Sequence, residues 1–219
     1  MRALGPYLPK PQDWTLIDND PGLLTRATAM PPADDVAINA VSLDLSRDIG
    51  AALGRTVDLV TTSALLDLVS DTWLDRLAIA LAAGSIPLYA ALSYDGRIAL
   101  TPPDPFDAAV TAAVNTHQRI DKGFGPALGP TAPTFAVARF EALGYSVVQG
   151  ASDWVMGADD REMQTEILAG WASAARDLGT LPLSDIAAWL ARRSAIVSSG
   201  RSSLQVGHVD FFATPTATR

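Results

Sequence analysis

Cysteine is absent from this chain of 219 residues, histidine occurs only twice, and 16 basic residues stand against 24 acidic ones. Without cysteine the chain has no disulfide, no thiolate nucleophile and no thiolate zinc site. Two histidines separated by most of the sequence give no pattern of metal ligands, so we expect no metal. The formal charge of −8, with no run of lysine or arginine, argues against nucleic acid as a partner.

Long apolar runs are also missing. The most apolar stretch, residues 74–92, is interrupted by Gly84 and Pro87 and carries Asp75 and Arg76. It therefore predicts a helix, a turn and a strand rather than a membrane span. Residues 1–11 are too short and too polar for a signal peptide. We expect a cytoplasmic protein without a membrane partner.

Short strands alternate with helices in the first half of the chain. The apolar runs at residues 14–18, 36–44 and 57–61 predict strands, and short helices separate them. This order is typical of a parallel sheet with helices on both faces, an α/β fold. Because 48% of the residues are hydrophobic, the chain can bury one core, and we expect a single domain over residues 1–219.

The second half departs from this alternation. Residues 102–134 predict a helical insertion or lid, made of a helix over residues 106–123 and a loop rich in glycine and proline. A strand before it is expected to end in a turn at residues 93–96. Asp159 and Glu162 have the spacing of a capping box at the start of a later helix.

The order of these motifs resembles that of class I, Rossmann-like S-adenosylmethionine-dependent methyltransferases of the bacterial small-molecule type. The resemblance rests on the strand tips at Asp18 and Asp44, on "DLVTTSALLDLVS" and "PLYAALSYDG", and on the closing "GHVDFFATP". It implies a mixed sheet in which the last strand runs antiparallel between the strands at residues 145–149 and 87–92. It also implies S-adenosyl-L-methionine as cofactor and a small molecule as methyl acceptor.

The resemblance places the nucleoside of the cofactor at two strand tips. Asp18, followed by Asn19, matches the acid that accepts hydrogen bonds from both ribose hydroxyls, while Asp20 is expected to cap the next helix. Asp44 and Leu45 match the positions beside the adenine. The alternative for Asp44 is a capping role before the residues that follow it.

A third strand tip would lie beneath the methionine part of the cofactor. Thr62, Ser63 and Ala64 match this tip, because ligands of open α/β sheets bind beyond the carboxyl ends of the strands. The alternative is that these small residues only pack a turn between a strand and a helix.

The acceptor site is expected to draw on the least regular parts of the chain. His117, Arg119 and Lys122 lie near the end of the predicted lid helix and suit an acceptor-binding role, or else a basic helix C-terminus. His117 and Asp121, like Gln118 and Lys122, are expected one helical turn apart.

Asp67, Tyr94 and Trp154 complete the predicted acceptor site. The alternatives are a solvated acid for Asp67 and a buried core position for Trp154. His208 is expected to be a structural histidine. The sequence assigns no catalytic residue.

Two other functions stay open beside methyl transfer. One is a non-catalytic remnant of the fold that binds a ligand or associates with another chain, for example with a second copy of itself in a homodimer. The other is a nicotinamide-dependent oxidoreductase, since an acid at the second strand tip also suits a ribose there. A serine hydrolase is not supported, because the sequence contains no G-x-S-x-G motif.

The resemblance also predicts a strand and a glycine-rich loop ahead of residues 14–18, and residues 1–13 contain neither. Residues 1–9 instead resemble the helix that follows this loop. We therefore expect an N-terminally truncated form of the fold with impaired cofactor binding. The strands ending at Asp18 and at Thr61 would each have an unpaired edge.

Overall fold

The structure, a computed structural model, describes residues 3–29, 34–54 and 56–216. The strands of these residues are β1 (Gln12–Asp18), β2 (Val36–Ser42), β3 (Val60–Ser63), β4 (Leu88–Thr101), β5 (Tyr145–Ala151), β6 (Trp154–Met156) and β7 (Ser203–Pro215). The helices are α1 (Pro21–Thr28), α2 (Ile49–Ala52), α3 (Asp71–Ala83), α4 (Asp107–His117), α5 (Ala132–Ala142), α6 (Arg161–Leu178) and α7 (Leu183–Ser198). The chain divides into two units at residues 56 and 57.

The first unit contains a two-stranded parallel sheet. β1 and β2 pair over their whole length, with Asp18 opposite Ser42. Asp20 caps α1 as expected, because its Oδ1 accepts hydrogen bonds from the backbone N–H groups of Gly22 (2.7 Å) and Leu23 (3.3 Å). β2 ends two residues before Asp44. This acid therefore lies in the turn after the strand and not at its last position.

The second unit contains a five-stranded mixed sheet in the order β3-β4-β7-β5, and β6 pairs with β7. β3 and β4 are parallel, whereas β7 is antiparallel to both β4 and β5. Phe212 of β7 marks this position, since it faces Tyr89 of β4 on one side and Val148 of β5 on the other. The prediction for the last strand is confirmed.

β4 is longer than we expected. It continues through residues 93–96, where a turn was predicted. The register of its pairing with β7 shifts twice around these residues, which accommodates them within the strand. Gly96 has a φ of 88°, and its carbonyl accepts a hydrogen bond from Asn115 Nδ2 at 3.1 Å. The turn residues thus form a bulge inside the strand, because long-range pairing with β7 and a contact from α4 hold them there.

Three helices form a hydrophobic core with β4, β6 and β7. α4, α6 and α7 pack together and bury Leu168, Ile186, Trp189 and Leu204. Arg193 of α7 is fully buried and is satisfied by the Asp107 carboxylate and by the carbonyl of Pro102 at 2.7 Å. A buried cation with a complete set of partners fixes α7 against the start of α4.

Helix ends account for two further differences from the sequence predictions. α4 stops at His117, six residues before its predicted end, so residues 118–122 do not continue its faces and the expected pairs one helical turn apart are wrong. α6 begins at Arg161 with Asp160 at the N-cap position and no side-chain cap, so the predicted capping box is wrong as well. Residues 154–156 form the short strand β6, which we did not predict from the sequence.

The single domain over residues 1–219 and the lid at residues 102–134 stay predictions. Within the described ranges, β1 has β2 as its one strand neighbour and β3 has β4. None of the described helices is long and apolar enough to cross a membrane. The described residues also contain no cluster of histidine and acidic side chains that could hold a metal ion.

Candidate functional site

Asp18 lies at the carboxyl end of β1, and one of its carboxylate oxygens has no donor among the described residues. Its Oδ1 accepts a hydrogen bond from the Asp20 backbone N–H at 2.9 Å, and its backbone carbonyl accepts one from Leu43 N at 3.0 Å. No described residue donates to Oδ2. The side chain is half-buried and Asn19 beside it is exposed. A carboxylate with only one oxygen engaged by the described chain can accept hydrogen bonds from a hydroxylated ligand.

Asp44 follows β2 at the same end of the two-stranded sheet, but its carboxylate is already engaged. Oδ1 accepts hydrogen bonds from Ser46 Oγ (2.6 Å) and Ser46 N (3.0 Å), and Arg47 Nε lies 3.1 Å from Oδ2. The Ser46 hydroxyl, then the Ser46 N–H and Arg47, hold the pKa of Asp44 below its ordinary value. Asp44 therefore stabilises its own turn and does not cap a helix, since α2 is capped by Asp48, whose Oδ1 accepts a hydrogen bond from Ala51 N at 2.8 Å. The place of Asp44 beside the adenine stays a prediction. Leu45, the next residue, is half-buried.

The tip of β3 exposes the small residues that the sequence predicted there. Thr62 is half-buried, while Ser63 and Ala64 are exposed. Ala64 has a φ of 50° and donates its N–H to Ala91 O at 3.1 Å, and the neighbouring Leu92 has a φ of 53°. Side chains in this left-handed region cost about 1–3 kcal/mol each, and such residues are concentrated at ligand sites.

Four side chains meet at the middle of β4 and β7, and we call them the His208 cluster: Asp67, Tyr94, Trp154 and His208. Tyr94 and His208 face each other across the two strands, with their ring centroids 6.1 Å apart. The Trp154 ring lies 4.9 Å from the His208 ring at an angle of 43°. Asp67 comes from the loop between β3 and α3 and interacts electrostatically with His208.

The tautomer of His208 follows from its backbone contact. Nδ1 lies 3.1 Å from the carbonyl oxygen of Val206, which can only accept, so Nδ1 carries the proton in the neutral ring. Nε2 then presents a lone pair. No hydrogen bond from the described part of the chain reaches this atom. His208 is 6% exposed, so the lone pair lies in a largely buried site.

Asp67 is the buried acid of the cluster, and its carboxylate accepts backbone hydrogen bonds, including one from Tyr94. Its side chain is 6% exposed, and its Oδ1 has no hydrogen-bond partner among the described residues. Burial raises the pKa of Asp67 above its ordinary value. Buried carboxyl oxygens are normally paired, so Asp67 Oδ1 is available to a donor from a ligand.

Two further acids border the cluster and are fully engaged. Asp210 accepts hydrogen bonds from Tyr89 Oη (2.6 Å), Leu92 N (2.8 Å) and Ser152 Oγ. Burial acts to raise the pKa of Asp210, but these hydrogen bonds outweigh it and the pKa is lowered. The same contact with Asp210 raises the pKa of Tyr89 to about 12.

Asp153 is the second engaged acid. It accepts from His208 N at 3.1 Å, from Gln205 Nε2 at 2.6 Å and from Arg97 Nη2 at 2.8 Å. These contacts, led by the hydrogen bond from the His208 backbone, lower the pKa of Asp153. Both bordering acids, Asp210 and Asp153, are therefore ionised carboxylates at neutral pH.

The structure brings together part of the predicted acceptor site. Asp67, Tyr94 and Trp154 meet at His208, which the sequence did not single out as functional. Trp154 is 41% exposed rather than buried in the core. Little in the sequence indicated a role for His208, because its neighbours in the cluster come from a loop and from two other strands.

The other predicted acceptor residues lie elsewhere on the second unit. His117 Nε2 is 3.9 Å from Asp177 Oδ2 of α6. Arg119 is exposed and Lys122 is half-buried. Among the described residues no recorded contact joins these three to the His208 cluster, and their roles stay predictions.

Comparisons with known proteins were made at the level of sequence and of structure. No protein-family model and no curated protein matches the chain. A cyclopropane-fatty-acyl-phospholipid synthase-like protein from Lactobacillus casei superposes with a TM-score of 0.53 at 15% identity, covering 91% of this chain and 74% of the other. This chain has the class I methyltransferase fold. The order β4-β7-β5 with an antiparallel β7 agrees with that assignment.

Two other solved structures resemble the chain more distantly. A putative methyltransferase from Bacillus halodurans gives a TM-score of 0.49 at 11% identity, covering 98% of this chain and 87% of that one. The mycolic acid cyclopropane synthase CmaA1, solved with S-adenosylhomocysteine, gives 0.40 at 11% identity, covering 91% and 69%.

Proposed function

We propose that this chain is an S-adenosylmethionine-dependent methyltransferase that acts on a small polar molecule in the cytoplasm. The observation that carries the proposal is the antiparallel β7 between β4 and β5. In the sheet typical of nicotinamide-binding proteins all strands are parallel, so this feature favours methyl transfer over hydride transfer.

The residues at the strand tips fit the proposed cofactor in part. In the first unit, Asp18 Oδ2 has no donor among the described residues and suits the ribose hydroxyls. In the second unit, Ser63 and Ala64 are exposed at the tip of β3. Asp44 fits less well, because both of its oxygens have protein partners. The cofactor would supply an activated methyl group, and the chain would hold and orient it.

The chain's own contribution to the reaction lies in the His208 cluster. Methyl transfer needs the acceptor atom aligned with the methyl group and free of its proton. Trp154 can pack against the acceptor, Asp67 can accept a hydrogen bond from it, and His208 Nε2 can receive a proton.

A non-catalytic role is the second candidate, and Asp44 favours it. If the adenine-side acid only stabilises a turn, nucleoside binding rests on Asp18 and is weaker than in a complete site. In this case the chain would bind a ligand or a second copy of itself without transferring a methyl group.

Calorimetric titration with S-adenosylhomocysteine tests the proposal. Replacing Asp18 by Asn removes the charged acceptor, and hydrogen bonds to charged groups contribute about 1.5–3 kcal/mol. We expect D18N to bind roughly ten- to a hundredfold more weakly than the unaltered chain. The control is D13N, which removes a carboxylate at the other end of the same strand and should leave the affinity unchanged.

Three results would contradict the proposal. The first is no binding of S-adenosylhomocysteine at millimolar concentration, which supports the non-catalytic role. The second is equal affinity of D18N and the unaltered chain. The third is saturable binding of a nicotinamide dinucleotide in place of S-adenosylhomocysteine, which supports the oxidoreductase.

A further inference from the structure

The polar groups that face the His208 cluster are hydrogen-bond acceptors. His208 Nε2 presents a lone pair, and Asp67 Oδ1 is buried without a partner among the described residues. Asp153 and Asp210 border the site as carboxylates with lowered pKa values. A ligand that satisfies Nε2 and Oδ1 must supply N–H or O–H donors.

The electrostatics of the site disfavour an anion. The one cation in recorded contact with the bordering acids, among the residues that the structure describes, is Arg97, and its guanidinium is held by Asp95 (2.6 Å) and Asp153 (2.8 Å). Its charge is thus matched by two carboxylates outside the cluster. A carboxylate or phosphate ligand would meet like charges from Asp153 and Asp210 without a free cation from the described chain to offset them.

The open side of the cluster is aromatic. Trp154 is 41% exposed, and its ring packs against the His208 ring. The face of an indole attracts cations, and the attraction increases when water is excluded. An exposed indole, a buried acid and a histidine lone pair together suit an organic ammonium group.

We propose that the His208 cluster binds a small organic amine as an ammonium ion, and that His208 Nε2 takes a proton from it. This assignment rests on the proposed function, in which the amine is the methyl acceptor. The ammonium group donates to Asp67 and packs beside Trp154. Asp67 is a binding residue, and His208 is the catalytic base.

The reaction balances without a further reagent. The ammonium nitrogen gives one proton to His208 Nε2 and keeps the electron pair of the broken N–H bond. This pair forms the new C–N bond, while the bond between methyl carbon and sulfonium sulfur breaks and its electrons remain on sulfur. The proton leaves His208 for solvent.

Several titratable groups face His208. They are Asp67 from the loop after β3, Tyr94 from β4, Asp153 from the loop between β5 and β6, and Asp210 from β7. Burial raises the pKa of Tyr94, so the phenol stays neutral at physiological pH. The acids favour a positive charge on the ligand.

The chain has only two histidines, which permits a direct test by NMR. The ring nitrogen resonances of His208 are assigned by comparison with H117Q. Phenethylamine serves as the probe, with phenethyl alcohol as its neutral match and 3-phenylpropanoate as its anionic match. We expect phenethylamine to shift the His208 Nε2 resonance saturably, with an affinity at least tenfold above that of the alcohol and no saturation by the acid.

Variants separate the groups involved. D67N should weaken phenethylamine binding at least tenfold, because the buried acid then lacks its charge. W154L should weaken it several-fold, and D159N, which removes an exposed acid outside the cluster, should not change it. H208Q should retain phenethylamine binding within a few-fold but slow methyl transfer at least tenfold, because the ammonium ion then has no base to take its proton.

The same samples distinguish failure of this inference from failure of the proposed function. If S-adenosylhomocysteine binds and phenethylamine does not shift His208, or D67N binds it as well as the unaltered chain, the amine assignment is wrong. Stronger binding of 3-phenylpropanoate also overturns it. If phenethylamine binds as expected and S-adenosylhomocysteine does not, the amine site stands as a binding site and the methyltransferase proposal fails.

Discussion

The ion pair between Asp104 and Arg192 joins two parts of the second unit that are distant in the sequence. Its carboxylate receives two hydrogen bonds from Arg192 of α7, from Nε at 2.6 Å and from Nη2 at 2.9 Å. The paired guanidinium is the main reason why the pKa of Asp104 falls from 3.8 to about 2. Because Arg192 is half exposed, water screens much of this attraction.

The lowered pKa of Asp104 predicts a loss of stability in acid. A carboxyl group with a lower pKa in the folded chain stabilises that state above its unfolded pKa, and this contribution disappears as the pH falls through the folded pKa. We expect D104N to lower the free energy of unfolding by roughly 1 kcal/mol at pH 5 after screening. The difference from the unaltered chain should shrink between about pH 4 and pH 2.

Urea unfolding at a series of pH values measures this difference. D159N is the control, since Asp159 is exposed and lies at no recorded contact within the described chain, and its effect should not depend on pH. A D104N difference that stays constant from pH 5 to pH 2 would show that the ion pair does not contribute as described.

At the scale of the element, sequence patterns located the helices and strands better than their ends. The antiparallel last strand was predicted from the resemblance and is confirmed. The prediction of a turn at residues 93–96 was wrong. Gly96 and its neighbours form a bulge, which arises only because β4 pairs with β7 on both sides of it. β6 was missed for a similar reason, since its three residues form a strand by pairing with Leu204–Val206.

The candidate site shows the same limit. Asp18 and Ser63 lie at strand tips, and strand tips can be read from local patterns of apolar residues. No local pattern of apolar residues indicates His208. The other members of its cluster lie 54 or more residues away in the sequence, and the pairing of β4, β7 and β6 brings Tyr94 and Trp154 beside it. Chain topology therefore determines this part of the site.

Gly207 in β7 permits the close approach of β4 beside the cluster. A Cβ atom at this position would overlap the carboxylate of Asp95 and the Cβ of Arg97. We predict that G207A lowers the free energy of unfolding by about 1–3 kcal/mol, the range for overpacking. It should also shift the His208 ring resonances, because the next residue must move.

Gly170 provides a control of opposite sign. It lies inside α6, and no described atom outside its own helical turn lies within 4 Å of the place where an alanine Cβ would be. G170A should therefore raise the free energy of unfolding by about 0.5–1 kcal/mol through helix propensity. Thermal unfolding of both variants checks the pair, and equal stability of G207A and the unaltered chain would contradict the close approach.

At the scale of the whole molecule, the two units differ greatly in core size. Among the described residues of the first unit, only Leu24 and Ile49 are buried hydrophobics, whereas the second unit buries large side chains such as Trp189, Phe140 and Phe211. A two-stranded sheet with little buried apolar area is marginally stable. The first unit also carries Asp18, so cofactor binding and the less stable unit are coupled in the proposed function.

This difference predicts the order in which backbone amides exchange with solvent. Amides of β1 and β2 should exchange well before those of β4 and β7, because local unfolding of a small core costs less free energy than opening the large one. A ligand that binds only the folded first unit raises the cost of that opening by RT ln(1 + [L]/Kd). Saturating S-adenosylhomocysteine should therefore slow exchange in β1 and β2, by about a hundredfold at one hundred times Kd, and D18N should reduce this effect in proportion to its weaker binding. Hydrogen exchange read by mass spectrometry on the full chain makes the measurement. Equal protection of all four strands without ligand would show that the units do not differ in stability, and slowing confined to β4 and β7 would place the ligand away from Asp18.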